Sequence, residues 1–150
     1  MIDYKNGIYA VDSDYVRPIL DAIHLIEDSG ELAIIDTAHN GAWPQVEAAL
    51  AKIGRKPEDV RWLILTHVHL DHAGGAGLFM SKLPNATLVV HERGARHMAD
   101  PSKLYAGVEV VYGKDNAKRL YGELLPIPEA RIQVGKHGDA LLLGQRTLEI

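Results

Sequence analysis

Apolar positions along the chain follow two periods, and the switches between them mark out the elements. Gly7 to Asp12 alternates loosely and predicts a first strand; Ala22-Ile23-His24-Leu25-Ile26-Glu27 predicts a second. Asp28-Ser29-Gly30-Glu31 is a turn signal, and Leu32-Ala33-Ile34-Ile35 after it is a short apolar run that reads as a buried strand. So short a turn cannot make a parallel crossover, so these strands are expected to form an antiparallel hairpin. From Trp43 to Ile53 the period becomes helical, with Val46, Ala49, Leu50 and Ile53 on one face. Asn40 is the expected N-cap, Pro44 suits the first turn and Gly54 the stop. Val60 to Leu65, apolar except for Arg61, predicts another buried strand. A helix between two strands predicts a crossover unit.

Further along, Leu78 to Leu83 reads as a short helix, Thr87 to Val90 as a strand ending at His91, and Glu92 to Met98 as a helix. Lys114 to Leu125 is amphipathic, with Ala117, Leu120, Tyr121, Leu124 and Leu125 on one side, and Pro126 and Pro128 end it. Ile132 to Val134, Ala140 to Leu143 and Thr147 to Ile150 read as late short strands. No internal repeat or low-complexity segment breaks residues 1–150, and one domain is expected.

Composition narrows the chemistry. A chain of 150 residues, 47% of them hydrophobic, can bury one core. A net charge of −4 gives no reason to expect nucleic acid or an anionic membrane surface as partner. No apolar run approaches membrane-spanning length, and no export signal opens the chain, so a cytoplasmic location is expected. There is no cysteine, which excludes disulfides, thiolate catalysis and Cys-ligated zinc and leaves His, Asp and Glu as metal ligands.

Those residue types concentrate in one place. His67, His69, Asp71 and His72 follow directly on the strand Trp62-Leu63-Ile64-Leu65. Imidazole and carboxylate both suit zinc or iron, and loops at strand ends carry function because a rigid sheet aims them. In an extended segment His67 and His69 point to the same side and could hold one metal; Asp71 and His72, after the chain has turned, could face a second. Two neighbouring metals would lower the pKa of a bridging water and supply hydroxide near neutral pH. Asp71 could both bind metal and orient that nucleophile, which makes it the candidate catalytic residue. The glycines at 74, 75 and 77 allow close backbone packing behind the loop.

The stretch Thr66-His67-Val68-His69-Leu70-Asp71-His72-Ala73-Gly74-Gly75 resembles the signature of the metallo-β-lactamase superfamily, and Leu32-Ala33-Ile34-Ile35-Asp36-Thr37 resembles the strand that precedes it in that family. The resemblance covers most of residues 7 to 91. It implies an α+β fold, the αβ/βα sandwich of two mixed sheets with helices outside. It also implies that His67 and His69 bind a first metal, that Asp71 and His72 bind a second, and that Asp36 supports the loop by hydrogen bonding. The cofactors implied are two divalent metal ions, zinc first, with iron or manganese as alternatives. The family completes its site with three further ligands, the first in a Gly-His pair, and no such pair occurs here. Leu141 to Ile150 resembles the strands leading up to it. The chain is therefore expected to stop before the second half of the fold, and alone to bind metal poorly and be inactive.

Three functions follow from this reading. The first is a dinuclear hydrolase of an ester, thioester, lactone or related bond. The second is iron chemistry without hydrolysis, such as oxygen binding, oxygen reduction or sulfur oxidation. The third is a binding module that kept the loop without the activity. The partner expected is a small-molecule substrate, with no nucleic acid and no membrane, and self-association stays open. His91, His137 and His39 read as supporting or structural residues, and His24 and His97 as structural. Lys114, Lys118 and Arg119 read as a solvated helix face, and Tyr105, Tyr112 and Tyr121 as core or rim packing.

Overall fold

The computed structural model describes residues 1–150. Seven strands form one mixed sheet in the order of the sequence. They are β1 (Ile2–Asp3), β2 (Ile8–Asp12), β3 (Ala22–Asp28), β4 (Glu31–Ile35), β5 (Val60–Ile64), β6 (Thr87–His91) and β7 (Ile132–Gly135). Neighbours from β1 to β4 pair antiparallel, and those from β4 to β7 pair parallel. The change of sense follows from the connections: a tight turn joins β3 to β4, whereas helices cross over between the later strands. A separate antiparallel hairpin, β8 (Ala140–Leu143) with β9 (Arg146–Glu149), completes the strands.

The continuous apolar runs of the central strands are explained by burial on both faces. Ile23, Leu25, Leu32, Ile34, Leu63, Leu88 and Val90 join the main core with α1 (Trp43–Lys52) and, beyond a single turn α2 (Leu70–Ala73), with α3 (Ala76–Lys82). Phe79 of α3 meets Trp43 of α1 edge-on, with ring centroids 5.2 Å apart. The alternate residues Ala33, Ile64 and Val89 point to the other face, where Leu141 and Leu143 of the β8–β9 hairpin cover them. Trp62 Nε1–H donates to Leu142 O at 2.7 Å, and Asp28 accepts from the Gln145 N–H at 2.7 Å, pinning the hairpin to the sheet.

Three further helices, α4 (Glu92–Ala99), α5 (Ser102–Tyr112) and α6 (Lys114–Tyr121), lie between β6 and β7. The return from them is held by Arg131, whose guanidinium donates to Met80 O and Ala86 O at 2.7 and 2.8 Å and to Leu83 O.

Most expected elements appear within a residue or two of their predicted bounds; besides the single turn α2 in the metal loop, which the pattern does not predict, four points differ. The helix at 43–52 is not capped by Asn40: His39 Nδ1 accepts from the Gly41 N–H at 3.2 Å and caps a 3₁₀ turn at 40–42, while Asn40 reaches away to the carbonyls of Tyr121 and Glu123. Helix α5 falls in a stretch for which the apolar pattern predicts no element, and none of its residues is buried. The amphipathic run from Lys114 ends at Tyr121 and not at Leu125, because Gly122 takes φ +65°, which breaks the helical path. The short β1 is also absent from the pattern.

Candidate metal centre

Because β2 and β4 flank β3 antiparallel, they run the same way, and β4 to β6 are parallel. The C-terminal ends of β2, β4, β5 and β6 therefore share one edge of the sheet. At this edge an open parallel sheet leaves room for a site. The loop after β5 delivers His67 and His69, and the turn of α2 delivers Asp71 and His72.

His67, His69 and Asp71 come together: one ligand atom from each lies within 4.8 Å of the others. The His67 and His69 rings stand edge-on, with centroids 4.8 Å apart, as expected for alternate residues of an extended segment. His72 is next to them, its ring 4.3 Å from that of His67 and its Nε2 3.7 Å from Asp71 Oδ2. His67, His69 and Asp71 thus form the convergent group, and His72 stands beside it against Asp71.

Asp36 organises the cluster from behind. Its carboxylate is buried and accepts from Thr66 N–H, from Thr66 Oγ1–H (both 2.8 Å) and from His72 Nδ1 at 3.0 Å. A carboxylate only accepts, so His72 Nδ1 carries a proton and its Nε2 keeps a free lone pair. Thr66 Oγ1 gives its proton to Asp36, so at 3.0 Å from His67 Nδ1 it can only accept. His67 is then also protonated on Nδ1, with Nε2 free. One buried carboxylate therefore sets the tautomer of two imidazoles, as fits a ligand's supporting partner.

The backbone beneath is tightly specified. Thr37 N–H and Thr37 Oγ1–H both donate to His72 O, at 2.7 and 2.9 Å, and Gly75 N–H donates to Ala38 O at 3.0 Å. A Cβ at Gly75 would sit 2.9 Å from His39 O and 3.1 Å from Thr37 O, so only glycine lets the two segments approach. Asp36 and Ala38 both take positive φ, +61° and +51°, an uncommon conformation for a residue with a Cβ, which the surrounding hydrogen bonds hold in place.

Of the other candidates, His91 caps α4 by accepting from the Arg93 N–H at 3.2 Å. His137 is exposed in the turn before β8, and neither histidine belongs to the convergent group. His39 stands at the rim, its ring 5.6 Å from that of Tyr15 in the β2–β3 loop. The Tyr15 and Tyr121 hydroxyls lie 2.8 Å apart. Burial, then the bond to Tyr15, pushes the Tyr121 phenol far above its ordinary range, and the charge of Asp71 adds to the effect. Tyr15 escapes the sequence reading because it sits in a loop with no motif around it.

The family model described as the metallo-beta-lactamase superfamily matches residues 22–149. The chain belongs to that superfamily. Among solved structures, a motif mutant of the metallo-beta-lactamase from Cronobacter sakazakii superposes with a TM-score of 0.70 at 20% identity, covering 99% of this chain and 52% of its own. The Legionella gormanii metallo-beta-lactamase gives 0.70 at 22% identity, covering 95% of this chain and 48% of its own. At these identities the likeness is one of fold.

By sequence, an N-acyl homoserine lactonase from Azorhizobium caulinodans is 31% identical over 56% of this chain and 36% of its own length. An exodeoxyribonuclease from Streptococcus pneumoniae is 35% identical over 38% of this chain and 20% of its own. The chain thus spans about half of the solved superfamily members it matches, and its alignment covers about a third of the lactonase. No helix is long and apolar enough to cross a membrane.

Proposed function

We propose that this chain carries the N-terminal ligands of a metal-dependent hydrolase, with two metal ions held by His67, His69, Asp71 and His72. The reading is supported above all by Asp36, which leaves Nε2 free on both His67 and His72 beside the Asp71 carboxylate. Neutral imidazoles and an ionised carboxylate are the donor set that zinc takes, with iron and manganese as alternatives.

Metal ions bound there would activate a bridging water toward hydroxide and polarise the bond under attack. The chain's own residues do the rest. Asp71, whose carboxylate lies within reach of both sides of the cluster, orients the attacking water and holds metal. Asp36 and Thr66 fix the imidazoles, and Gly75 keeps the loop pressed on the Thr37–His39 backbone. Lactonase relatives favour an ester or lactone among the bonds such a centre can cut, and the substrate expected is a small molecule.

The test is metal uptake followed by turnover. His69→Ala or Asp71→Asn in the full-length protein should lower zinc affinity by about tenfold or more by isothermal titration. In the full-length protein, lactone or ester hydrolysis should vanish on chelation and return with zinc. Unchanged zinc affinity in both variants overturns the ligand assignment. Native iron with no hydrolysis overturns the hydrolase reading in favour of oxygen or sulfur chemistry.

A further inference from the structure

The rim of the metal edge carries a second, smaller constellation that the ligand set does not use. It joins three segments distant in sequence: Tyr15 in the β2–β3 loop, His39 after β4, and Tyr121 at the end of α6. Tyr15 stacks on Tyr121, with ring centroids 6.2 Å apart, and packs on His39 at 5.6 Å. His39 O in turn lies against Gly75, and the neighbouring Ala38 bridges to Ala73 beside His72. Asn40 locks α6 to the same platform by donating to Tyr121 O at 3.3 Å and to Glu123 O at 2.7 Å. Each step from the tyrosine pair to the metal loop is a direct contact.

The two orientations of the pair differ in which phenol keeps the free proton. Two hydroxyls 2.8 Å apart share one hydrogen bond, so one phenol donates and the other keeps a free proton. Tyr121 is only 5% exposed, and its hydroxyl has Tyr15 as its one partner. If Tyr15 donated, the free proton would sit on the more buried phenol of the two. Tyr121 therefore donates to Tyr15, and the half-buried Tyr15 turns its own proton outward. Accepting a hydrogen bond also makes Tyr15 a stronger donor.

We infer that Tyr15 contacts the substrate, donating its hydroxyl proton to an oxygen of the group under attack at the metal edge, and that Tyr121 is the positioning residue that aims it. The inference rests on the hydrolase reading for the identity of that group. An ester or lactone carbonyl is the acceptor chemistry it fits. His39 supplies the packing surface for the Tyr15 ring.

The experiment uses the full-length, zinc-loaded protein with δ-valerolactam as a non-hydrolysed probe and δ-valerolactone as substrate. Lactam binding should red-shift the tyrosine absorption, and Tyr15→Phe should abolish that shift with zinc content unchanged. Tyr15→Phe should lower kcat/KM for the lactone by about tenfold, Tyr121→Phe by about threefold, and the double variant should be no worse than Tyr15→Phe alone. Phenylalanine keeps both rings, so loss of packing does not explain a change. No spectral shift in the wild type, or kcat/KM within about twofold for Tyr15→Phe, overturns the assignment. A protein that binds the lactam through Tyr15 yet hydrolyses no lactone overturns the hydrolase reading and supports the tyrosine one.

Discussion

The metal loop and the α5–α6 excursion stand at the same rim and are built in opposite ways. Between Leu65 and Gly75 the backbone groups are tied to β6 and to the Asp36–Ala38 segment, and the candidate ligand His72 rests on a buried carboxylate. Helix α5 buries no residue, and Val110 and Val111 are 87% and 73% exposed. The difference separates two demands. Metal ligands must be held to a fraction of an ångström, so they sit where local opening means opening the core. The helical excursion needs only to deliver Tyr121 to the rim, and Asn40 together with Tyr15 does that at its far end.

Substitutions should expose this contrast, in decreasing order of effect. Phe79→Ala, which empties the core under the loop, should cost about 3–5 kcal/mol in chemical denaturation. Asp36→Ala removes an acceptor from Thr66 and from His72. It should cost about 2–3 kcal/mol and lower zinc affinity by about 10- to 100-fold by competition with a chelator. Gly75→Ala should cost about 1–3 kcal/mol, because its Cβ meets backbone and not a side chain that can swing away. Val111→Ser should change stability by less than about 0.5 kcal/mol, and a larger loss would mean that Val111 itself is packed.

The smallest effect concerns the other end of the sheet. The Gln145 backbone N–H, then Ser29 and Arg146, hold the Asp28 carboxyl below its usual range. A depressed carboxyl pKa stabilises the folded form above the unfolded value, and that contribution is lost as pH falls through the folded pKa. The β8–β9 hairpin should therefore loosen only in acid below the ordinary carboxylate range. In a Trp43→Phe background the fluorescence of Trp62, which donates to Leu142 O, reads this directly. Asp28→Asn should flatten the acid limb, and an unchanged limb would assign the transition to another group.

Much of this architecture is legible along the chain. The β3–β4 hairpin, the β4–α1–β5 crossover and the strand leading to the metal loop all follow from local period and turn chemistry. Helix α5 is not legible, because it lacks the apolar stripe that a core-packed helix shows. The Asn40 cap fails for a related reason. Its side chain has better partners 81 and 83 residues away than the turn beside it, and His39 takes the capping role.

The sequence by itself determined the metal ligands of the proposed centre. All four fall within six consecutive positions, so strand period and one turn suffice to bring them near one another. The superfamily is written in the same stretch. Only the tertiary structure decided how the candidate ligands are oriented and what faces them. Asp36, whose support of the loop the sequence resemblance already implies, meets it from the end of β4 by bonding both Thr66 and His72. Tyr15, His39 and Tyr121 converge from a loop, a strand end and a helix end spread over 106 residues. Hydrogen bonds of that range depend on where the sheet order places its edges, and no local pattern of hydrophobic and polar residues encodes them.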